Sequence, residues 1–540
     1  MKHNCLTYIV VIMLLLIGGS SCTDLKEEVF SDLIAEEYSP KPSDLPVLMG
    51  PAYSSLRTIY FGWHGYFDTM EESADIIATC SRPRGWYDGG VYQRMHEHTW
   101  TSLQSHINSL WDRCYAGITN VNRCVYQIES GSIPIDEDLA TKALAELRVA
   151  RAFYYYLLCD GFGNVPIITK YDMEKGYLPD QSAREDVFDF IVTEIIESVP
   201  YLSEEADVEM YGRWNKWAAK TFLAKMYINA IVYKGVPMWE ECITQCNDVI
   251  ASGKYSLEGT FKNCFITENQ SSTELIFSIP FDEIYAPEFN LHLKTLPSST
   301  QSVWDFKQPP WGYGGSCAIP QFINTYHPDD SRLEDCWIMG YMISTSGDSI
   351  KSMVDGVSPL QFKNELKGIL DAGEMEGYRL GKYEFKLGCS LLSNDFPIFR
   401  YADVLLMKAE SMLRSDPSSA GLAAEIVTEV RGRNFKDNPS AAIVTGDELL
   451  GGSSYQYGEV QNGVLINPEG GDDIQLGRML DELGWEFCQE ARRRQDLIRF
   501  NVFTTKKWLS HIPNGDFRSL FPIPDDEINK NPKLLQNPGY

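Results

Sequence analysis

Five segments of this chain repeat apolar or small residues every three or four positions, a spacing that suits helices packed on helices and little else. Over 145–159, Leu147, Ala150, Tyr154 and Leu157 share a face. Gly161 and Gly163 then end the helix, and an extended Val165-Pro-Ile-Ile-Thr169 follows. Over 215–230, Ala218, Ala219 and Ala224 leave room for a neighbouring helix to approach closely. Ala402, Leu406, Ala409 and Leu413 line one face over 401–413, and Ala420, Ala423, Val427 and Val430 mark the next helix after Ser415-Asp-Pro-Ser-Ser419. Leu476, Leu480, Leu483, Phe487 and Ala491 form a fifth stripe over 476–499. The expectation is a mainly α fold, with tetratricopeptide-like helix hairpins forming a single compact body, although no fixed period covers the chain.

Two stretches break the pattern. Residues 61–100 are glycine-rich, aromatic and weak in either period, and residues about 254–390 are rich in Gly, Ser, Pro, Asn and aromatics, with short strand-like pieces such as Glu274-Leu-Ile-Phe-Ser-Ile279. Long irregular segments of this kind carry function or form a second lobe.

The N-terminus reads as an export signal. Lys2 and His3 precede the apolar run Tyr8–Ile17, which is too short to span a bilayer, and Gly18-Gly-Ser-Ser-Cys22 follows. Residues 1–21 are expected to be a lipoprotein signal peptide, with Cys22 the acylated first residue of a mature chain over 22–540. Gly19 stands where an aliphatic residue is usual, so plain secretory cleavage after Ser21 is the alternative.

The net charge of -28 argues against nucleic acid and against attachment to anionic lipid through a basic patch. Thirteen cysteines are scattered without a CxxC, which indicates neither a disulfide framework nor a zinc site. Cys159 and Cys488 lie in apolar helical contexts and read as small buried hydrophobes. So many free thiols in an exported chain fit a reducing habitat.

Enzyme signatures are scarce: there is no HExxH, GxSxG, Walker loop or GxGxxG. His96-Glu97-His98 lacks a further ligand nearby, and sequence cannot single out a glycosidase pair among so many carboxylates. The chain reads as a non-enzyme with no metal and no cofactor.

The aromatic clusters are more informative. Arg84-Gly-Trp-Tyr-Asp-Gly-Gly90 and Lys307-Gln-Pro-Pro-Trp-Gly-Tyr-Gly-Gly315 set large rings among glycines. Glycine lets the backbone bend and expose what lies between, and flat rings with polar edges stack on sugars. The candidate ligand-binding residues are Trp86, Tyr87, Trp311 and Tyr313, with Arg82 and Asp88 available to hydroxyls. The plainer alternative is that these side chains staple loops to the scaffold. Trp100, Trp111, Trp214 and Trp217 sit in regular contexts and read as core. The charges of 480–500, including Arg492-Arg-Arg494, read as an ion-pair network tying the last helix to its neighbours.

Five motifs occur in order over nearly the whole mature chain: Glu146-Leu-Arg-Val-Ala-Arg-Ala-Phe-Tyr-Tyr-Tyr156 with Phe162-Gly-Asn-Val-Pro166; Gly212-Arg-Trp-Asn-Lys-Trp-Ala-Ala219; the run from Asp395-Phe-Pro-Ile-Phe-Arg400 to Lys408-Ala-Glu410; Glu486-Phe-Cys-Gln-Glu-Ala-Arg-Arg-Arg494 onward to Phe500; and Leu520-Phe-Pro-Ile-Pro524 with Gln536-Asn-Pro-Gly-Tyr540. Together they resemble the SusD/RagB family of outer-membrane lipoproteins. The family usually has Gly where Ala491 stands, a change expected only to tighten a helix. The resemblance implies a surface-exposed, lipid-anchored protein of the outer membrane that captures oligosaccharides and passes them to a SusC-like TonB-dependent transporter. The RagB branch, which takes peptides, supplies the alternative ligand. Trp86 and Tyr87 lie near where starch-binding members place a sugar-stacking aromatic, and Trp311 lies near another. Two readings from other classes remain, a tetratricopeptide adaptor without a small ligand and a hydrolase.

Overall fold

The computed structural model describes residues 41–540 apart from Arg84. The expected signal peptide 1–21 and lipidated Cys22 lie outside the described residues.

Local chemistry sets where the helices begin and end. Asp136 caps α3 (Glu137–Phe162) by accepting a hydrogen bond from Leu139 N at 2.9 Å, and Gly163 at φ 72° ends it. Asn215 caps α5 (Lys216–Ile228) in the same way through Ala218 N at 2.8 Å. α1 (Leu45–Phe61) packs on α2 (Ser105–Glu129), α2 on α3, and α3 on α4 (Arg184–Ser198). α5 packs on α6 (Trp239–Ser252), α6 on α7 (Tyr401–Ser415), and α7 on α8 (Ala420–Gly432). The mainly α expectation therefore holds.

Small residues set the spacing. A Cβ on Gly117 would lie 2.5 Å from the Tyr154 ring, so only glycine lets α2 and α3 meet there. Tyr154 Oη also donates to Ala52 O at 2.6 Å, which ties α3 to α1.

The helices hold an irregular region. Between Ser252 and Phe396 no helix or strand exceeds five residues. β2 (Leu275–Ile279) pairs antiparallel with β4 (Phe396–Arg400), and β1 (Ile77–Thr79) pairs antiparallel with β3 (Ser316–Ala318). Trp214 stacks on Phe277 with centroids 3.9 Å apart, beside Phe153, Phe222 and Phe399. This buried aromatic cluster joins the helices to the β2–β4 ribbon. Trp100, Trp111 and Trp214 are core as expected, whereas Trp217 is half-buried and donates from Nε1 to Glu204 O at 2.8 Å.

The fifth stripe is not one helix. α9 spans Gly477–Phe487 and α10 spans Arg493–Arg499, separated by Gln489 at φ 62° and Ala491 at φ 58°. This corrects the expectation for Ala491. It lies outside both helices, in the left-handed region where a Cβ costs roughly 1–2 kcal/mol. Its N–H, freed from helical bonding, donates to Glu71 Oε1 at 2.8 Å.

The charges of 480–500 do form a buried network, mostly with partners from other elements. Arg493 pairs with Asp75 at 2.8 Å, Arg494 with Asp160 at 3.3 Å and Arg499 with Glu410 at 2.7 Å. Glu486, fully buried, receives Arg332 at 3.2 Å and Arg400 at 3.1 Å, and it also pairs with Arg433.

Candidate aromatic binding face

Three loops meet where α1 ends. Gly62 ends that helix and Trp63 follows it, 54% exposed. Arg113 pins the turn by donating to Thr58 O and Trp63 O, each at 2.9 Å. The second loop leaves β1 and carries Trp86. The third enters β3 and carries Trp311, whose N–H donates to Leu293 O at 2.8 Å.

The β1 loop is held in an unusual backbone state. Trp86 (φ 65°), Asp88 (φ 42°), Gly89 (φ 66°) and Gly90 (φ 77°) all lie in the left-handed region. A bulky side chain is a rare occupant there, and such strain gathers at functional sites. The geometry swings the Trp86 ring inward, leaving it 7% exposed. Its Nε1 donates to Trp311 O at 3.3 Å. The ring lies over Gly315, where a Cβ would come within 2.6 Å of it.

Trp311 is half-buried and links the other two tryptophans. Its ring lies 6.2 Å from Trp86 and 6.1 Å from Trp63, the latter edge-on at 60°. Beneath Trp63 and Trp311 is a notch of about 20 Å³ that Asp68, Tyr92, Asn290 and Lys294 help to line. That volume holds about one hydroxyl-sized group, so a larger ligand would lie across the rings.

Lys294 adds no free charge. Its Nζ sits 2.6 Å from Asp68 Oδ1 and 2.9 Å from Glu72 Oε1. Burial opposes its charge, but those two carboxylates more than offset this and hold its pKa above the usual lysine range. Burial pushes the pKa of His64, beside Trp63, down to about 4, so it is neutral at ordinary pH.

The structure separates the candidates. Trp311, Tyr87 (59% exposed) and Asp88 reach the surface. Trp86 backs them from inside. Two expectations are corrected. Tyr313 is 2% exposed, with its backbone bridged to Pro297. Arg82 is 4% exposed and donates to Gly373 O and to Glu376 O. Both side chains lie inside the body, and Arg82 staples its loop to the 373–376 turn, the plainer alternative for this cluster. Trp63 was missed, although Gly62-Trp-His-Gly65 repeats the signal of an aromatic between glycines. His96 and His98 are both buried, and His98 stacks on Phe503 at 4.2 Å.

A family profile described as the SusD family matches residues 320–540, and one described as starch-binding, associating with the outer membrane, matches 68–228. The chain belongs to the SusD/RagB family. The starch-binding protein SusD of Bacteroides thetaiotaomicron is 23% identical, over 84% of this chain and 82% of that one. A solved SusD superfamily protein from Parabacteroides distasonis superposes with a TM-score of 0.69 at 20% identity, covering 92% of this chain and 99% of that one. Surface glycan-binding protein A of B. thetaiotaomicron, solved with laminarihexaose, gives 0.68 at 17%, covering 92% and 99%. At such identities these two structures carry the SusD fold to this chain.

Proposed function

We propose that this chain binds oligosaccharides at the outer membrane and delivers them to a SusC-like TonB-dependent transporter, with lipid on Cys22 keeping it beside the barrel. The observation that carries the glycan reading is the exposed Trp63 ring set 6.1 Å from Trp311 beside a small notch that Asp68 and Asn290 help to line. Flat rings supply stacking area, while Asp88, Asn290 and the edge of Tyr87 offer hydrogen bonds to hydroxyls. The starch-binding relative and the laminarihexaose-bound structural neighbour support a neutral glucan as the first ligand to try. Capture itself requires no chemistry, which supports a binding protein without catalysis.

Isothermal titration with maltoheptaose and laminarihexaose, followed by a wider glycan panel and a peptide panel, tests the reading. Trp63→Ala and Trp311→Ala are each expected to weaken glycan binding by roughly ten- to hundredfold, taking about 1–3 kcal/mol per stacking face by analogy with bases on aromatic rings. Peptide binding with no glycan binding would move the assignment to the alternative ligand, and unchanged affinity in both variants would remove this face from the site.

A further inference from the structure

Directly behind the aromatic face two buried thiols meet. Cys80 and Cys317, 237 residues apart in the chain, have their sulfurs 3.9 Å from one another, and both side chains are fully buried. The strand register explains the contact. Ala78 and Cys317 are partners in the β1–β3 ladder, so Cys80, two residues beyond Ala78, projects to the same face as Cys317. The neighbouring backbone confines the pair, since a Cβ on Gly377 would lie 2.5 Å from Cys317 Sγ.

A second observation marks this pair out. Arg379 is completely buried beside it, yet its Nε and Nη1 have no hydrogen-bond partner and its Nη2 donates only to Glu374 O, at 2.7 Å. Among the described residues no carboxylate forms an ion pair with Arg379. An unneutralised buried guanidinium is costly unless an anion is available nearby. The Arg379 guanidinium lies over the Phe362 ring at 4.8 Å, and a thiolate on one of the two cysteines would supply the missing anion. The hydrogen bond from Cys80 and the charges of Arg82 and Arg379 push the Cys317 thiol down to about 6, against burial and Glu72, while Cys80 is raised by its hydrogen bond to Cys317 and by burial.

We propose that Cys80 and Cys317 form a hydroperoxide-sensitive site that closes to a disulfide, with Cys317 attacking and Cys80 resolving. The Cys317 thiol gives up its proton and its sulfur attacks one oxygen of hydrogen peroxide. The O–O bond breaks, and the departing oxygen takes up that proton to leave as water, which makes Cys317 a sulfenic acid. The Cys80 sulfur then attacks the Cys317 sulfur, an S–S bond forms, the S–O bond breaks, and the hydroxyl leaves as water with the Cys80 proton. Two thiols lose two electrons and two protons, and one peroxide becomes two waters. The new bond staples β1 to β3, the strands whose adjoining loops carry Trp86 and Trp311, so oxidation fixes the floor on which the Trp86 ring rests. Small peroxide suits the enclosed setting better than a bulky disulfide reagent.

The test uses the mature folded protein, reduced, freed of reductant and treated with hydrogen peroxide, then mapped as non-reduced peptides by mass spectrometry. The expected product is a Cys80–Cys317 cross-linked peptide, with loss of two hydrogens from the intact mass and a rise of a few degrees in the thermal midpoint. Cys80→Ser is expected to stop at oxygenated Cys317, read by mass spectrometry as a peptide heavier by one or more oxygen atoms. Arg379→Gln is expected to slow the wild-type reaction roughly tenfold at about pH 5 and little at about pH 8, as loss of about one unit of thiol acidification would. Absence of the cross-link, or cross-links joining other cysteines while Cys80 and Cys317 remain alkylatable, overturns the proposal. If either variant fails to fold, the wild-type map alone decides. None of these measurements depends on which nutrient the aromatic face takes.

Discussion

The ion-pair layer around α9 and α10 and the aromatic face at the end of α1 use their side chains in opposite ways. In the layer, groups that water would solvate well are taken out of it and satisfied by each other: Arg332, Arg400 and Glu486 are all fully buried. At the face, groups that water solvates poorly are left in it: Trp63 is 54% exposed and Tyr87 59%. The layer costs desolvation and returns one geometry, because a buried charge tolerates few arrangements of its partners. The face gives up burial and keeps flat surface ready for a ligand. A protein that must hold an open site on short irregular elements needs rigidity elsewhere, and the layer supplies it.

The largest test of this contrast is Glu486→Ala. It strips one shared partner from three arginines and should cost about 3–5 kcal/mol in urea unfolding, or abolish soluble expression. A loss below about 1 kcal/mol would mean that the layer is not what holds the body together. Gly315→Ala probes the seam between the two regions. A Cβ 2.6 Å from Trp86 forces the ring off its seat. The expected cost is about 1–3 kcal/mol of stability, with a drop in glycan affinity that a purely structural role for Trp86 would not produce.

Acid separates the two regions further. Burial holds His96 down to about 3 and His292 to about 4. A histidine kept neutral in the fold contributes stability that is fully present above its unfolded pKa, about 6.5, and is lost as pH falls toward the folded value, at about 1.4 kcal/mol per pH unit for each. His98, His106 and His511 are lowered in the same direction by burial. Glu71, pushed up to about 8 by burial, opposes this between its unfolded value and 8, as do Asp335, Asp395, Asp403 and Asp481, also raised by burial, just above their own unfolded value. Glu274, which Arg433 and Arg400 hold at about 2 against burial, adds its loss only below its unfolded value of about 4.3. The thermal midpoint should therefore begin to fall below about pH 6.5 and fall faster below about 4.3. A midpoint flat from pH 7 to 5 would contradict the histidine account. The smallest expected effect is at Ala491. Replacement by Gly relieves its left-handed strain and, after the added freedom of the unfolded chain, should raise stability by up to about 1 kcal/mol.

Much of this was legible beforehand because the relevant physics is local. The Leu147 and Ala402 stripes and the stop at Gly163 depend on neighbours within a turn. The five ordered motifs are scaffold motifs, so they carried the family and the fold. The site was legible only in part. The glycine-flanked pattern pointed to Trp86 and Trp311, but composition gives the same signal for a ring turned outward and a ring turned inward. Trp86 turned inward because its backbone is left-handed and Gly315 leaves room beneath its ring. Arg82 turned inward because the carbonyls of Gly373 and Glu376, distant in sequence, accept its hydrogen bonds, and Tyr313 is buried where its backbone bridges to Pro297.

By itself, then, the sequence determined what short-range forces decide: several of the helices, their close-packing small residues, the two irregular stretches and the family. Only the tertiary structure decided which aromatics share a face, which arginine meets which carboxylate, and that Cys80 meets Cys317. Those outcomes rest on contacts between segments tens to hundreds of residues apart, and the packing of the whole chain is what brings such segments to within a few ångströms.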